Sequence, residues 1–258
     1  MEIIPLNAFE DNYIWVLRTE GHCAVVDPGD AAPVLAWLEQ SGDRLAALLI
    51  THHHHDHTGG IADLTARHAV PVFGPGREVI PGITHPLADG DVLAVPGLDT
   101  AFEVLEVPGH TRGHIAYYGA KLPPTGALFC GDTLFGCGCG RLFEGTPSQM
   151  LAAMKRFSAL PDHTAIYCAH EYTASGVRFA SMVEPDNEAV GLRAGAVSLR
   201  RSRHEPTVPF TLAEEKATNP FLRWQAPAVI DTVTRRLGHT PRSEEEAFAA
   251  IRDWRDKF

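Results

Sequence analysis

Hydrophobic residues in the first two thirds of the chain occur mainly in short runs that end at turn residues. Such runs predict strands, whereas apolar positions three or four residues apart predict helices. The runs predict strands at 3–6, 13–18, 24–26, 45–50, 72–73, 102–107, 114–118, 127–130 and 165–168. The helical spacing predicts helices at 31–40, 61–68 and 146–160, and Asp30 and Thr146 are placed to cap the first and the last of them. This interleaving predicts an α/β domain that extends to about residue 170.

The pattern changes after residue 170, where helical spacing dominates. It predicts helices at 173–183, 188–200 and 227–237. A last helix follows Ser243 and Glu246, whose spacing is that of a capping box. Its apolar residues lie three or four positions apart, at Phe248, Ile251, Trp254 and Phe258. The sequence therefore predicts two domains, an α/β domain at 1–170 and a smaller helical domain at 171–258.

Composition narrows the class of protein. The 258 residues are 45% hydrophobic and 21% charged, which excludes wholesale disorder and allows a full core. No apolar run approaches the ~20 residues that a membrane helix needs. The N-terminus lacks the basic and apolar segments of a signal peptide, so we expect a cytoplasmic protein without a membrane partner. Five cysteines at irregular spacings argue against a secreted disulfide framework.

The formal net charge is −10, and the excess of acidic residues lies in the first 170 positions. This charge argues against nucleic acid as a partner of that part of the chain. The stretch 193–203 is locally basic, and we interpret it as a solvated helix end, with an anion or RNA patch as the alternative. Cys137 and Cys139 flank a glycine, which predicts a tight loop, with metal binding as the alternative.

The densest group of chemically active residues is at 51–60, which reads THHHHDHTGG directly after a predicted buried strand. Imidazole and carboxylate groups are common metal ligands. Because alternate residues of an extended segment point the same way, His52 and His54 can converge on one ion. Asp56 and His57 can then turn toward a neighbouring ion.

Three later segments each place one more ligand type just after a predicted strand. They read VPGHT, FCGDT and IYCAH and supply His110, Asp132 and His170. Loops at the ends of several strands are where an α/β scaffold assembles a site. The sequence therefore predicts a metal centre, and a solvated histidine-rich loop or a metal-storing tract is the alternative.

This arrangement resembles the metallo-β-lactamase superfamily, whose fold is a four-layer αββα sandwich. The pattern T-H-x-H-x-D-H of that superfamily is present in full. The resemblance implies that one metal ion binds His52, His54 and His110. It implies that a second ion binds Asp56, His57 and His170, and that Asp132 bridges both ions. It also implies that Asp27 supports a ligand, and we expect His114 to be structural or supporting.

Further segments resemble glyoxalase II, the hydroxyacylglutathione hydrolase family. They are 138–146 (GCGRLFEGT), 168–173 (CAHEYT), 216–223 (KATNPFLR) and 251–258 (IRDWRDKF). Together they extend the resemblance over nearly the whole chain. The bridging carboxylate points the same way, because true β-lactamases lack it.

The glyoxalase II resemblance implies an enzyme that hydrolyses the thioester S-D-lactoylglutathione to glutathione and D-lactate, the second step of methylglyoxal detoxification. It implies two divalent metal ions per chain, with zinc as the default and iron or manganese as alternatives, and Asp56 and Asp132 as catalytic residues. We expect a monomer with a small-molecule partner. The residues that match the substrate positions of the family are Arg141, Phe143, Tyr172, Arg252 and Arg255.

Three other functions stay open at this point. A glutathione-persulfide dioxygenase of the same fold would hold a single iron ion. A nuclease would also use this fold, although the acidic charge disfavours it. A non-catalytic zinc store would exchange its metal freely and would have no activity for a chelator to remove.

Overall fold

The first of two sheets is built from the N-terminal strands. The computed structural model describes residues 1–122 and 125–258. The strands lie side by side in chain order, β1 (Glu2–Ala8), β2 (Asn12–Thr19), β3 (His22–Val26), β4 (Arg44–Leu49), β5 (Val72–Pro75) and β6 (His85–Leu87). The pairs from β1 to β3 are antiparallel and those from β3 to β6 are parallel.

The second sheet contains later strands and one strand from the C-terminal part. The remaining strands are β7 (Val92–Ala94), β8 (Ala101–Glu106), β9 (Ile115–Gly119), β10 (Ala127–Gly131), β11 (Leu134–Phe135), β12 (Gly138–Cys139), β13 (Ala165–Cys168) and β14 (Phe210–Thr211). The sheet runs in the order β14-β13-β10-β9-β8-β7, and β11 and β12 form a separate hairpin. Strand β14 therefore attaches the C-terminal part to the edge of this sheet.

The alternation of side chains along β2 divides the interior of the molecule into two cores. Trp15 and Leu17 point into the larger core, which also contains residues of the second sheet. Ile14 and Val16 point to the opposite face and pack in a smaller core. Since successive side chains of a strand face opposite sides, β2 is buried on both faces and needs helices to cover the first sheet.

Helices cover the outer faces of the sheets. They are α1 (Ala31–Ser41), α2 (His55–Thr58), α3 (Ile61–Arg67), α4 (Pro147–Ser158), α5 (Thr173–Val183), α6 (Glu188–Ser202), α7 (Leu212–Thr218), α8 (Pro227–Leu237) and α9 (Glu244–Asp256). Helices α1 and α3 pack in the smaller core. Helices α4, α8 and α9 contribute to the larger core. The expected αββα sandwich followed by helices is confirmed.

Every predicted strand and helix is present, with ends shifted by a few residues. The elements that sequence reasoning missed are the short ones, α2, α7, β6, β7, β11, β12 and β14, which hold too few residues to show a period. Asp30 and Thr146 cap their helices as expected. The capping box at Ser243 is wrong in one half: Ser243 accepts from the Glu246 amide, but the Glu246 carboxylate accepts from the Arg242 amide instead.

Two further expectations concern cysteine and charge. All five cysteines are free and buried. Within residues 1–122 and 125–258, no helix is long and apolar enough to cross a membrane. The interpretation of 193–203 is wrong for Arg193, which is buried and pairs with Glu215 rather than facing solvent or an anion.

Candidate metal centre

The histidine-rich segment lies where β4 ends and α2 begins. Asp27 fixes its start, because its carboxylate accepts hydrogen bonds from the amide and the hydroxyl of Thr51 over 2.8 and 2.7 Å. Asp27 itself has a positive φ of 51°, an uncommon conformation for a residue other than glycine. Helix α2 then begins at His55, so that the chain turns sharply between His54 and His57. This turn aims the side chains on either side of it at one region.

The first group of ligands consists of three imidazoles. The Nδ1 atom of His54 lies 3.1 Å from Nε2 of His52 and 3.0 Å from Nε2 of His110. The three nitrogens come from two separate loops, after β4 and after β8. They converge as three ligands of one ion would.

The second group combines a carboxylate with two imidazoles. Oδ2 of Asp56 lies 3.4 Å from Nε2 of His57 and 3.4 Å from Nε2 of His170. Asp132 lies between the two groups: its Oδ2 is 3.3 Å from Nε2 of His110, and its Oδ1 is 3.3 Å from Nε2 of His170. One carboxylate thus faces both groups, each with a different oxygen, which is the arrangement of a bridging ligand.

Hydrogen bonds on the far side of three rings determine which nitrogen faces inward. Nδ1 of His57 lies 3.0 Å from the Asp27 carboxylate, and Nδ1 of His170 lies 2.7 Å from the Asp11 carboxylate. Nδ1 of His110 lies 2.8 Å from the carbonyl oxygen of Arg141. Because these partners only accept, each Nδ1 carries a hydrogen, and each Nε2 faces the centre.

Sequence reasoning missed two residues that reach the centre, Asp11 at the end of the loop between β1 and β2 and Asn12 at the start of β2. Asn12 donates from Nδ2 to Oδ2 of Asp56 over 3.0 Å. The amide of Tyr13 donates to the carbonyl oxygen of Ala169 over 2.7 Å and brings this loop beside the last ligand. No local pattern in the sequence could have revealed these roles, because about 160 residues separate Asp11 from His170.

His114 supports the centre from behind and is fully buried. Its ring stacks on His52 with centroids 4.6 Å apart, and its Nε2 accepts from the amide of Asp132 over 3.1 Å. His53 points away from the two groups and pairs with Glu144 at the rim over 2.8 Å. Asp27 and His114 therefore contact ligands, whereas His53 does not join either group.

Burial acts on the first group by stabilising neutral rings. It lowers the pKa of His52, His54 and His110, since a charged imidazolium is poorly solvated there. Neutral imidazole is the form that binds a metal ion.

The second group is different, because carboxylate charge dominates it. Burial by itself lowers the pKa of His57 and of His170. The negative charge of Asp132 outweighs this effect of burial and raises the pKa of both rings, that of His170 to about 10. Burial likewise raises the pKa of Asp132, but His57 and His170 hold it well below its usual range. Among the described residues, the buried Nε2 of His57 and Oδ1 of Asp132 have no hydrogen-bond partner. Two orphaned ligand atoms beside buried negative charge fit a divalent cation.

A cleft of about 420 Å³ leads from the centre to the C-terminal helix. His110 and Asp132 line its inner end, and the residues expected to bind substrate are among those that line the rest, namely Arg141, Phe143, Tyr172, Arg252 and Arg255. The Phe143 ring meets that of His110 edge-on at 5.3 Å, and the Tyr172 ring stacks on that of His170 at 4.7 Å. The structure thus brings all five together with the ligands.

The arginines of the cleft differ in how they are held. Arg252 is buried and donates to the carbonyl oxygen of Cys139 over 2.7 Å and to Asp256 over 2.9 Å. Arg141 is mostly exposed and lies 3.4 Å from the same Asp256 carboxylate. Arg255 donates to Ser175 over 2.7 Å. Three cations along one wall make the cleft suitable for an anionic ligand despite the acidic protein.

Comparisons with known proteins agree with this geometry. Residues 8–170 match the family model "Metallo-beta-lactamase superfamily", and residues 171–258 match "Hydroxyacylglutathione hydrolase C-terminus". The chain is 50% identical to a hydroxyacylglutathione hydrolase of Nitrosomonas eutropha, over 100% of this chain and 99% of that one.

Two solved structures have similar folds. ETHE1 from Myxococcus xanthus superposes with a TM-score of 0.67 at 23% identity, covering 99% of this chain and 98% of that one. TTHA1623 in a di-iron-bound form superposes with a TM-score of 0.60 at 25% identity, covering 86% of this chain and 100% of that one.

Proposed function

Because the chain belongs to the hydroxyacylglutathione hydrolase family of the metallo-β-lactamase superfamily, we propose that it hydrolyses S-D-lactoylglutathione. The products are glutathione and D-lactate, as in the second step of methylglyoxal detoxification. The observation that carries this proposal is the single cleft that joins Asp132 and His110 to the three arginines. A glutathione thioester needs both ends of that cleft, since its carboxylates require cations and its carbonyl requires activation.

The proposed cofactor is a pair of divalent metal ions, one for each group of ligands. His52, His54 and His110 would hold one ion, Asp56, His57 and His170 would hold the other, and Asp132 would contact both. Zinc is our first choice, with iron or manganese as alternatives, because nitrogen and oxygen ligands without thiolate suit all three. The di-iron-bound form of TTHA1623 supports a centre for two ions in this fold.

When bound, such ions lower the pKa of water toward neutrality and polarise a carbonyl oxygen. The residues of the chain supply orientation. Asp11 and Asp27 keep the Nε2 lone pairs of His170 and His57 directed inward. Asn12 donates to Oδ2 of Asp56, the oxygen that faces His57 and His170, and so fixes the carboxylate that would orient the attacking water.

The leaving group needs little help from the protein. Hydrolysis forms a bond from water oxygen to the acyl carbon and breaks the carbon–sulfur bond. Since a thiol of this type has a pKa of about 8.5, it departs as the thiolate without a strong general acid. We propose that Arg141, Arg252 and Arg255 hold the glutathione carboxylates while Phe143 and Tyr172 enclose the thioester.

The two parts of the chain have different tasks in this proposal. Residues 1–170 form the catalytic domain and residues 171–258 the glutathione-binding domain. The proposed active unit is a monomer. Five buried free thiols fit a reducing compartment, which supports a cytoplasmic location.

The decisive test measures hydrolysis of S-D-lactoylglutathione and counts the metal in the same sample, before and after chelation. We expect hydrolysis with about two ions per chain and loss of activity when both are removed. S-lactoyl-N-acetylcysteamine, a thioester without the glutathione carboxylates, is the matched control and should be a poor substrate. Absence of hydrolysis by protein that holds two ions would contradict the proposal.

The persulfide dioxygenase predicts a different outcome. It would contain one iron ion and consume oxygen when glutathione persulfide is added. The second group of ligands and the two-sided contacts of Asp132 favour the hydrolase instead. Oxygen uptake measured on the same preparation distinguishes the two.

A further inference from the structure

One wall of the cleft is a very short hairpin. Strands β11 and β12 pair only at Leu134–Cys139 and Phe135–Gly138, with Gly136 and Cys137 at the turn. We call residues 134–139 the cleft hairpin, and four of them line the cleft. Two pairs of residues cannot stabilise a hairpin by themselves. Something else must hold it in place.

The turn of the cleft hairpin contains a strained residue. Cys137 has a φ of 54°, a left-handed conformation that a side chain disfavours. Its amide donates to Oε2 of Glu215 over 3.0 Å, and its thiol lies 3.3 Å from Nη1 of Arg193. Both partners come from the C-terminal part, on α7 and α6. Backbone strain persists only where the surroundings enforce it.

Asn219 holds the two strands of the hairpin from the same side. Its Nδ2 donates to the carbonyl oxygen of Gly138 over 3.0 Å and lies 3.3 Å from that of Phe135. The same amide group contacts Oε2 of Glu215 at 2.7 Å. The Oδ1 atom accepts from the amide of Phe221 over 2.9 Å, which fixes the orientation of the side chain. Asn219 is fully buried, so water cannot replace these bonds.

Arg193 completes the group by balancing charge. Its Nη2 lies 2.5 Å from Oε1 of the fully buried Glu215, and its Nη1 donates to Thr218 over 2.6 Å. A buried carboxylate needs such a partner, because an uncompensated charge is strongly disfavoured there. This pairing explains why a basic residue at position 193 faces the interior.

We propose that Arg193, Glu215 and Asn219 are positioning residues for substrate binding. These three, the hairpin clamp, hold the cleft hairpin in the conformation that receives the glutathione half of the substrate. The proposal rests on the proposed function only for the identity of that substrate. Arg141 follows the hairpin by two residues, so the clamp also sets the position of this cation. The clamp touches neither the metal ligands nor the reacting atoms, and its loss should weaken binding more than turnover.

The test compares Asn219→Ala with Asn187→Ala. Asn187 is a matched control, because it also bonds main-chain atoms in the C-terminal part, at the start of α6, without contacting the hairpin. We expect Asn219→Ala to raise KM about tenfold, as for a broken buried hydrogen bond, with kcat changed by less than about threefold. Metal content should be unchanged. Asn187→Ala should lower Tm but leave KM unaltered.

A second-site change separates positioning from general stability. Glycine accepts a positive φ without strain. Glu215→Gln alone should raise KM. Adding Cys137→Gly to it should therefore bring KM part of the way back toward the wild-type value. A purely structural role predicts no recovery. Asn219→Ser, which keeps a polar group at this position, serves as the milder variant if Asn219→Ala does not fold.

Hydrogen exchange of the amides at 134–139 tests the clamp without any substrate. Exchange should be faster in Asn219→Ala than in the wild-type protein and in Asn187→Ala. If the wild-type protein hydrolyses no thioester, this measurement still decides whether the clamp holds the hairpin. Equal exchange in Asn219→Ala and Asn187→Ala, or equal KM in an active protein, would overturn the proposal.

Discussion

Nη1 of Arg252 donates a hydrogen bond of 2.7 Å to the carbonyl oxygen of Cys139, and so joins the last helix to the cleft hairpin. The same guanidinium also reaches Asp256. Arg252 therefore supports the wall of the cleft that it lines. Among the described residues, Arg255 donates a hydrogen bond only to a serine hydroxyl. Its positive charge is therefore less neutralised by the protein and more available to an anionic ligand. The two arginines should respond differently to substitution.

Arg255→Ala should raise KM for S-D-lactoylglutathione about tenfold, which corresponds to ~1.4 kcal/mol of lost binding, and should leave Tm nearly unchanged. Arg252→Lys should raise KM and lower Tm together, because lysine lacks the fork that serves two acceptors at once. Arg236→Ala is the control, since this exposed arginine lies over Trp254 and outside the cleft. A fall in kcat alone for Arg255→Ala would contradict its role in binding.

Asp132→Ala should remove metal and activity together. The carboxylate faces both groups of ligands, so its loss should leave fewer than two ions per chain and reduce hydrolysis by about a hundredfold or more. Elemental analysis and thioester hydrolysis on one preparation provide the measurement. Asp162→Ala, which removes only a surface ion pair with Lys216, should behave like the wild-type protein. Full metal content in an active Asp132→Ala protein would exclude bridging.

Gly176→Ala tests how closely α5 packs on the cleft hairpin. A methyl group there would lie 2.0 Å from the carbonyl oxygen of Gly136, so backbone must move. We expect a loss of about 2 kcal/mol in the free energy of unfolding and a higher KM. Gly195→Ala in α6 meets open space and should raise stability by roughly 0.5–1 kcal/mol. Denaturant unfolding should show a lower free energy of unfolding for Gly176→Ala and a higher one for Gly195→Ala. Equal changes in the two variants would refute the packing argument.

Asp89 predicts a pH dependence that does not involve the metal centre. Partial burial raises the pKa of Asp89, but the Glu106 amide and Arg156 outweigh it and hold that pKa below its usual range. A lowered pKa in the folded state stabilises the protein above the unfolded pKa of ~3.9, and this contribution disappears as the pH falls through the folded value.

Asp89→Asn should therefore lower Tm at pH 7 by at most about 3 °C, since exposed ion pairs contribute little. The difference from the wild-type protein should shrink below about pH 4. Thermal unfolding of metal-free protein, with the exposed Asp99→Asn as control, provides the measurement. A Tm difference between Asp89→Asn and the wild-type protein that grows as the pH falls would contradict a lowered pKa of Asp89.

Local patterns were sufficient to predict the longer strands and helices and all seven candidate ligands. Strand β2 shows why, because its unbroken apolar run at 13–17, between Asn12 and Arg18, is typical of a strand that is buried on both faces. The ligands were recognisable because His52, His54, Asp56 and His57 are close in the sequence. His110 and His170 were recognisable because each follows a predicted strand. The capping box at Ser243 failed in one half because the Glu246 carboxylate accepts from the Arg242 amide rather than from the Ser243 amide.

The sequence by itself determined the order of the elements, the types of candidate ligand and the family resemblance, since all of these depend on residues near one another in the chain. Only the tertiary structure decided that Asp11 orients His170, that Asn12 holds Asp56, and that Asn219 supports the cleft hairpin. These contacts join residues about 40 to 160 positions apart. They form because separate loops and helices pack against the same core. The periodicity of a single segment depends only on its own residues and therefore cannot predict which distant residues it contacts.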